Sequence, residues 1–171
     1  MADLKLLFDS VIRLETELWN GVDATLRAAC DLPMTWLDIL RLLDRTGGCR
    51  VQDMADEFAI TVGGASKVAD RVEAAGYCAR RANPDDRRSS IVELTPAGRG
   101  KLEQALEVFE EELRLRFAPL LDDREAVDLI ATLDRLRSAC RAADASRGGG
   151  RKPVPAMREP QQRARQERAE P

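Results

Sequence analysis

Apolar residues recur every three or four positions along most of the chain, which is the period of amphipathic helices. Over residues 3–30 this period predicts one long helix, which Pro33 separates from the next. A second helix is predicted to begin near Thr35, because Asp38 follows it at the spacing of a capping box. That helix is expected to end at Gly47, since glycine favours the backbone conformation after a helix C-terminus.

Two shorter helices are predicted next, over residues 51–58 and 62–75, with the dipeptide Ile60-Thr61 between them. Gly76 ends the second of these helices. Two short helices joined by a tight turn form a helix-turn-helix. The apolar positions predicted to face inward from the second helix are Val62, Ala65, Val68, Ala69 and Val72.

The apolar period then changes from 3.6 to 2, which is typical of strands. Residues 77–81 and 89–94 are predicted to pair as a β-hairpin with a charged tip. Thr95 and Pro96 suit the N-cap and first position of a long helix, and a last helix is expected over about 122–143. The predicted fold is mainly α with a small β-hairpin: a winged helix-turn-helix between N- and C-terminal helices. The apolar faces of these flanking helices need a second copy of the chain to cover them.

The composition excludes several kinds of active site. The 171 residues include no histidine, so catalytic triads and His-ligated metal sites are excluded, and the four cysteines form no C-x-x-C pair. The N-terminus lacks the basic and apolar segments of a signal peptide, and no apolar run approaches a membrane span. We therefore expect a cytoplasmic protein that is not an enzyme, with no catalytic residue, metal, cofactor or membrane contact.

Charge is unevenly distributed along the chain. Residues 61–101 carry a net charge of +3 between two segments of −5, and residues 145–171 carry +4. A locally basic segment in an acidic protein suits a surface that faces phosphate, although chance clustering on a solvated face gives the same pattern. Residues 145–171 contain three consecutive glycines and few large apolar side chains, so we expect a disordered basic tail.

The segment from Asn83 to Gly98, NPDDRRSSIVELTPAG, contains D-x-R, an apolar strand and L-T-x-x-G. This segment resembles the wing signature of the MarR-type transcriptional regulators, and residues 68–76 resemble the end of their recognition helix. The resemblance implies an N-terminal dimerisation helix (1–34), a winged helix-turn-helix DNA-binding domain (35–98) and C-terminal dimerisation helices (99–144). It further implies a homodimer that binds a pseudo-palindromic double-stranded DNA operator, acting as a ligand-responsive repressor.

By the same resemblance, the helix at 62–75 enters the major groove and the wing lies along the minor groove. Asp86 would orient an arginine and hold the wing in shape; surface ion pairs are the alternative interpretation. The two glycines among the candidates would let DNA approach closely, or would mark a loose first turn. The candidate DNA-binding residues are Thr61, Gly63, Gly64, Ser66, Lys67, Arg71, Arg87 and Arg88.

A small aromatic effector is the other partner that the resemblance implies. Trp19, Trp36 and Cys30 are candidates for the lining of its pocket, with ordinary core packing as the alternative. Two further functions are kept open: a redox-sensing regulator that uses Cys30 or Cys49, and a helical protein-interaction module that does not bind DNA.

Overall fold

A computed structural model describes residues 3–84, 86 and 89–146 of the chain. These residues form six helices and a small three-stranded antiparallel sheet, which confirms the predicted mainly helical fold with a hairpin. None of the described helices is both long and apolar enough to form a membrane span. The elements are α1 (Leu4–Cys30), α2 (Met34–Thr46), β1 (Cys49–Arg50), α3 (Val51–Phe58), α4 (Val62–Ala74), β2 (Cys78–Ala82), β3 (Ser90–Leu94), α5 (Pro96–Phe117) and α6 (Asp123–Ser146).

The sheet has the strand order β1-β3-β2. The predicted hairpin is β2 and β3, in which Arg80 lies opposite Val92. The strand β1 was not predicted; it pairs Cys49 with Val92 on the other edge of β3. The last helix extends to Ser146, three residues beyond its predicted end, and the rest of the predicted basic tail lies outside the described residues.

The core is centred on α2, whose leucines are buried on several sides. Only the C-terminal third of α1, from Val22 onwards, is buried, whereas its first half is exposed. Every described side chain of α6 is exposed except the half-buried Ala126. The core therefore belongs to the central domain, from α2 to β3, and to the adjoining parts of α1 and α5, while the first half of α1 and most of α6 contribute little to it.

The start of α2 is capped by a residue of another helix. Pro33 precedes α2 and has no side-chain donor or acceptor, so the predicted capping box from Thr35 to Asp38 is wrong. Instead, the carboxylate of Asp23 on α1 accepts a hydrogen bond from the Met34 N–H at 2.8 Å. The same carboxylate accepts another from Nε of Arg27 at 2.6 Å, and the residue is only 6% exposed.

Replacing Asp23 with alanine is expected to lower the free energy of unfolding by about 2–3 kcal/mol, because a buried N–H and a guanidinium each lose their acceptor. Urea denaturation at one fixed protein concentration measures the change. Asp23→Asn keeps an acceptor for Met34 but removes the charge that faces Arg27, so an intermediate loss is expected. Unchanged stability in both variants would contradict this role for Asp23.

Candidate nucleic-acid interface

The turn between α3 and α4 is fixed by backbone geometry and one hydroxyl. Ala59 adopts the left-handed conformation, with a φ of 53°, and the Ile60 N–H donates to the Ala55 carbonyl at 3.0 Å. Thr61 is the N-cap of α4, and its Oγ1 accepts a hydrogen bond from the Gly64 N–H at 3.0 Å. Thr61, proposed above to read DNA, thus has a structural task in starting the helix.

The helix α4 has a buried face and an exposed face. Ala65, Ala69 and Val72 are buried against the core. Gly63, Lys67 and Arg71 follow one another at four-residue spacing and are exposed, while Ser66 and Gly64 are half-buried at the flanks. The model therefore brings these five predicted DNA-binding residues together on or beside one outward surface. The N-terminal turn of this surface is open, because a Cβ atom at Gly63 would meet nothing within 4 Å.

Val62 does not face inward as predicted. Its side chain is 45% exposed at the first turn of α4. The helical period placed it with the core residues, but the first position of a helix lies at the end of the packed face, where the neighbouring elements no longer cover it. The exposed N-terminal turn consequently presents an apolar side chain beside two glycines.

Arg80 on β2 joins the hairpin to α4. Its Nη2 lies 2.6 Å from Asp70 Oδ1, and its Nη1 donates to Glu73 Oε2, both on α4. Glu73 also accepts the Arg80 backbone N–H at 2.9 Å. The single positive charge of Arg80 offsets part of the negative charge of these two carboxylates, which would otherwise repel a polyanion.

The neighbouring Arg81 is engaged on the same strand pair. Its Nε lies 2.6 Å from Glu93 Oε1 of β3. The two arginines before the wing thus stabilise the hairpin and its junction with α4, and the outward positive charges of α4 are those of Lys67 and Arg71.

The wing is closed by polar contacts between its two strands. The Asn83 side-chain amide donates to Ser89 Oγ at 2.9 Å, and the Asn83 N–H donates to the Ser89 carbonyl at 3.3 Å. The Asp86 carbonyl accepts from the Ser89 N–H at 3.0 Å. Asn83 and Ser89 belong to the wing segment predicted from the sequence, but the pattern gave neither a role of its own, although an asparagine before Pro84 is a usual turn signal. Three residues of the tip lie outside the described residues: Asp85, Arg87 and Arg88.

Asp86, the proposed wing-orienting residue, is exposed. The hydrogen bonds and charge of Asp53 raise the pKa of Arg50 on β1, and the charge of Asp86 adds to this effect. Asp86 therefore lies within electrostatic reach of an arginine that the sequence did not suggest as its neighbour.

The base of the wing is joined to α5 by the L-T-x-x-G segment. Thr95 Oγ1 donates to the Gly76 carbonyl at 2.6 Å and accepts the Gly98 N–H at 3.0 Å, while the Thr95 N–H donates to the Tyr77 carbonyl at 3.1 Å. Gly98 lies so close to that carbonyl that a Cβ atom on it would overlap the oxygen. These contacts give a physical reason for the threonine and the glycine of the motif.

The predicted pocket residues make packing contacts within the single chain. Trp36 meets the Tyr77 ring edge-on, with centroids 6.4 Å apart, and Cys30 is buried with its Sγ 3.0 Å from the Leu26 carbonyl. Trp19 is half-buried against the core. Lys101 of α5 donates to the Cys30 carbonyl at the end of α1, which joins the long helix to the base of the wing.

Two open grooves and one small cavity are lined by other residues. The cavity, about 50 Å³, lies between α2, α3 and α4. The grooves, about 1050 and 670 Å³, share Glu57, Phe58 and Arg137 and separate the central domain from α6. Asp38 lines both the cavity and the smaller groove; burial raises its pKa to about 6, and the charge of Arg41 partly opposes this rise.

Cys30 and Cys49, the two cysteines considered for a redox switch, do not resemble reactive thiols. Cys30, Cys49 and Cys78 are buried, and Cys140 is exposed. Burial raises the pKa of the Cys49 thiol, and it raises that of Cys78 to about 11. A reactive cysteine needs an accessible thiolate with a lowered pKa. Cys49 is buried and its pKa is raised, and Cys30 is buried away from solvent.

Comparison with known proteins points to one family. The model of the MarR family matches residues 32–90. YwhA of Bacillus subtilis, described as an uncharacterized HTH-type transcriptional regulator, is 32% identical over 69 residues, which cover 40% of this chain and 50% of YwhA. The chain spans about half the length, or less, of the curated relatives it matches.

Solved structures match over more of the chain. A probable transcriptional regulator from Pseudomonas aeruginosa is 30% identical, with a TM-score of 0.65 over 76% of this chain and 98% of that one. Sco3205, a MarR family regulator from Streptomyces coelicolor in complex with DNA, has a TM-score of 0.72 at 21% identity over 79% of this chain and 86% of Sco3205. RdhR-CbdbA1625, an organohalide-sensing regulator bound to 2,4-dichlorophenol, has a TM-score of 0.71 at 20% identity, covering 81% and 82% of the two chains.

Proposed function

This chain belongs to the MarR family of winged helix-turn-helix transcriptional regulators, and from that premise we propose that it is a homodimeric repressor that binds a pseudo-palindromic operator. The observation that carries the proposal is the outward surface of α4. Lys67 and Arg71 are exposed there beside an open glycine turn, and Arg80 offsets part of the negative charge of the two acidic residues of α4, Asp70 and Glu73.

In the proposed complex, α4 enters the major groove with its N-terminal half towards the base edges. Lys67 and Arg71 contact phosphate or guanine, while Ser66 donates a hydrogen bond to a base or phosphate oxygen. The wing follows the neighbouring minor groove and carries Arg87 and Arg88 there, as the sequence resemblance implies. Two such units place their half-sites about 34–36 Å apart, one helical turn of DNA.

The helices α1 and α6 form the proposed dimer interface. Leu7, Phe8 and Val11 on α1 are exposed, as are Leu129 and Leu133 on α6. Monomeric proteins rarely expose so many large apolar side chains in contiguous stripes. A second copy of the same chain buries these stripes in a symmetric interface, and the bivalent dimer then engages both half-sites.

The proposed effector is a small aromatic molecule, and the grooves between the central domain and α6 are its proposed site instead of Trp19, Trp36 and Cys30. The smaller groove is lined by three arginines and three carboxylates beside apolar side chains that include Phe58, and the Arg41 guanidinium stands 5.3 Å from the centre of the nearby Phe109 ring. Apolar and aromatic side chains with a few polar groups among them suit a small planar ligand. Binding there would change the spacing of the DNA-binding units and release the operator.

Binding to a duplex from the protein's own promoter, titrated at several salt concentrations, tests the proposal. We expect tight, sequence-selective binding with a steep salt slope. Lys67→Ala should weaken binding and reduce the slope by about one for each recognition helix, and Arg88→Ala should weaken it strongly without unfolding the dimer.

A charge-matched control comes from Arg135→Ala on the exposed surface of α6. This variant loses the same charge away from the proposed DNA-binding surface, so the salt slope of its DNA binding should stay at the wild-type value. Weak binding that ignores both sequence and salt, in a duplex pool as well as the promoter, would favour an interaction module that does not bind DNA.

A further inference from the structure

Val62 is the one large hydrophobic side chain that is exposed among the described residues from 15 to 114. The other exposed ones lie in α1, near the end of α5, in the following turn and in α6, where they form stripes that the proposed dimer would cover. Val62 belongs to no such stripe, because Thr61 and Gly63 flank it and Ser66 follows one turn later. Its exposure therefore needs a separate reason.

The fold does not need valine at this position. The side chain is largely outside the core, and valine is a weaker helix former than alanine or glutamate because its branched Cβ restricts the side chain. The N-cap hydrogen bond is made by Thr61, not by Val62. Neither packing nor helix initiation explains an exposed valine at the first position of α4.

The open turn beside Val62 lets a large ligand approach it. A Cβ atom at Gly63 would meet nothing within 4 Å, and the glycine has no left-handed backbone that would require it. The fold does not require glycine at position 63, and the absence of a side chain there leaves the helix surface beside Val62 recessed. An approaching surface can then contact the valine methyl groups and the helix backbone together.

We infer that Val62 recognises the C5-methyl group of a thymine in the major groove, with Gly63 allowing the close approach of that base pair. The inference rests on the proposed function, because it assumes that α4 enters DNA. Thymine is the base that presents a methyl group in the major groove, and apolar side chains read it by contact. The protein would thus prefer thymine at one position of each half-site through an apolar contact, without a hydrogen bond.

The test replaces thymine with deoxyuridine, which removes only the methyl group. A preferred duplex is first selected from a randomised pool, and each of its thymines is then replaced singly. At one position in each half-site, the replacement should weaken wild-type binding about fourfold, the equivalent of about 0.8 kcal/mol for one buried methyl group. All other replacements should have little effect.

Two variants at the same position assign this penalty to Val62. Val62→Ser has no methyl group to offer, so its binding should be equally tight to the thymine and the deoxyuridine duplex. Val62→Ile keeps the apolar contact and should keep the penalty. Both variants should retain the wild-type salt slope, because neither changes a charge.

The outcomes separate the inference from the proposed function. If no duplex is bound in a salt-dependent way, the proposed function fails and the inference fails with it. If binding is tight and salt-dependent but no deoxyuridine weakens it, the regulator stands and the inference is overturned. The same conclusion follows if Val62→Ser shows the wild-type penalty.

Discussion

Gly98→Ala is expected to destabilise the protein by about 3 kcal/mol or more, a large effect for the addition of one methyl group. The new Cβ atom would overlap the Tyr77 carbonyl oxygen. That oxygen belongs to the backbone, so a change of rotamer cannot relieve the overlap. Either the start of α5 must move away from the base of the wing, or the strand β2 must shift.

Both movements break contacts that hold the wing. The Tyr77 carbonyl accepts the Thr95 N–H, and the Thr95 hydroxyl bridges the Gly76 carbonyl and the Gly98 N–H. Separating α5 from Tyr77 would leave these groups with lengthened hydrogen bonds. We therefore expect the damage to extend from stability to the orientation of the wing, and hence to DNA binding.

Gly100→Ala provides the matched control in the same helix. A Cβ atom at Gly100 would meet nothing within 4 Å, and the residue is exposed. This substitution should raise stability by up to about 1 kcal/mol, because alanine is the better helix former. Thermal and urea denaturation at equal protein concentrations should thus move in opposite directions for the two variants, and similar effects would contradict a steric role for Gly98.

The order of the elements could be predicted from the sequence because local signals mark them. Helical periodicity defined α1, α5 and α6, and the change to alternating residues defined the hairpin. Gly47 and the Thr95-Pro96 pair correctly marked a helix end and a helix start. The strand β1 escaped detection because two residues, Cys49 and Arg50, are too few to show any period.

Contacts between elements could not be predicted in the same way. Arg80 bonds to Asp70 and Glu73, ten and seven residues away on another element, and no local pattern indicates this pairing. The capping of α2 by Asp23 of α1 could not be predicted for the same reason, and the sequence instead suggested a local capping box of Thr35 and Asp38. The N-cap role of Thr61 was within reach, since a threonine directly before a helix commonly caps it.

The exposure of a predicted inward residue also depends on neighbouring elements. The period of α4 groups Val62 with Ala65 and Ala69, yet only the latter two are covered. The helical period predicts which face of the helix a side chain lies on, but it does not predict where the neighbouring elements stop covering that face. For the candidate DNA-binding residues of α4, the structure adds what the period could not give: their arrangement on or beside one open helix surface.

Leu133→Asp is expected to dissociate the proposed dimer and to reduce operator affinity at least about 100-fold, since a monomer loses the gain from binding two half-sites at once. Leu133 lies in the middle of the apolar stripe of α6 and is 41% exposed in the single chain. In the dimer its side chain would be buried, where an unpaired carboxylate is strongly unfavourable. Analytical ultracentrifugation gives the oligomeric state, and the salt titration gives the affinity.

Ala142→Asp is the control, because it introduces the same charge at an exposed residue on the opposite side of α6. This variant should remain a dimer and should bind the operator with wild-type affinity. Because Leu133 contributes little to the core of its own chain, circular dichroism of Leu133→Asp at high protein concentration should retain the helical signal of a folded central domain. Loss of DNA affinity together with the dimer would then follow from lost bivalency and not from unfolding. A dimer with wild-type affinity in Leu133→Asp would instead place the interface elsewhere, and the exposed stripe of α6 would need a different partner to cover it.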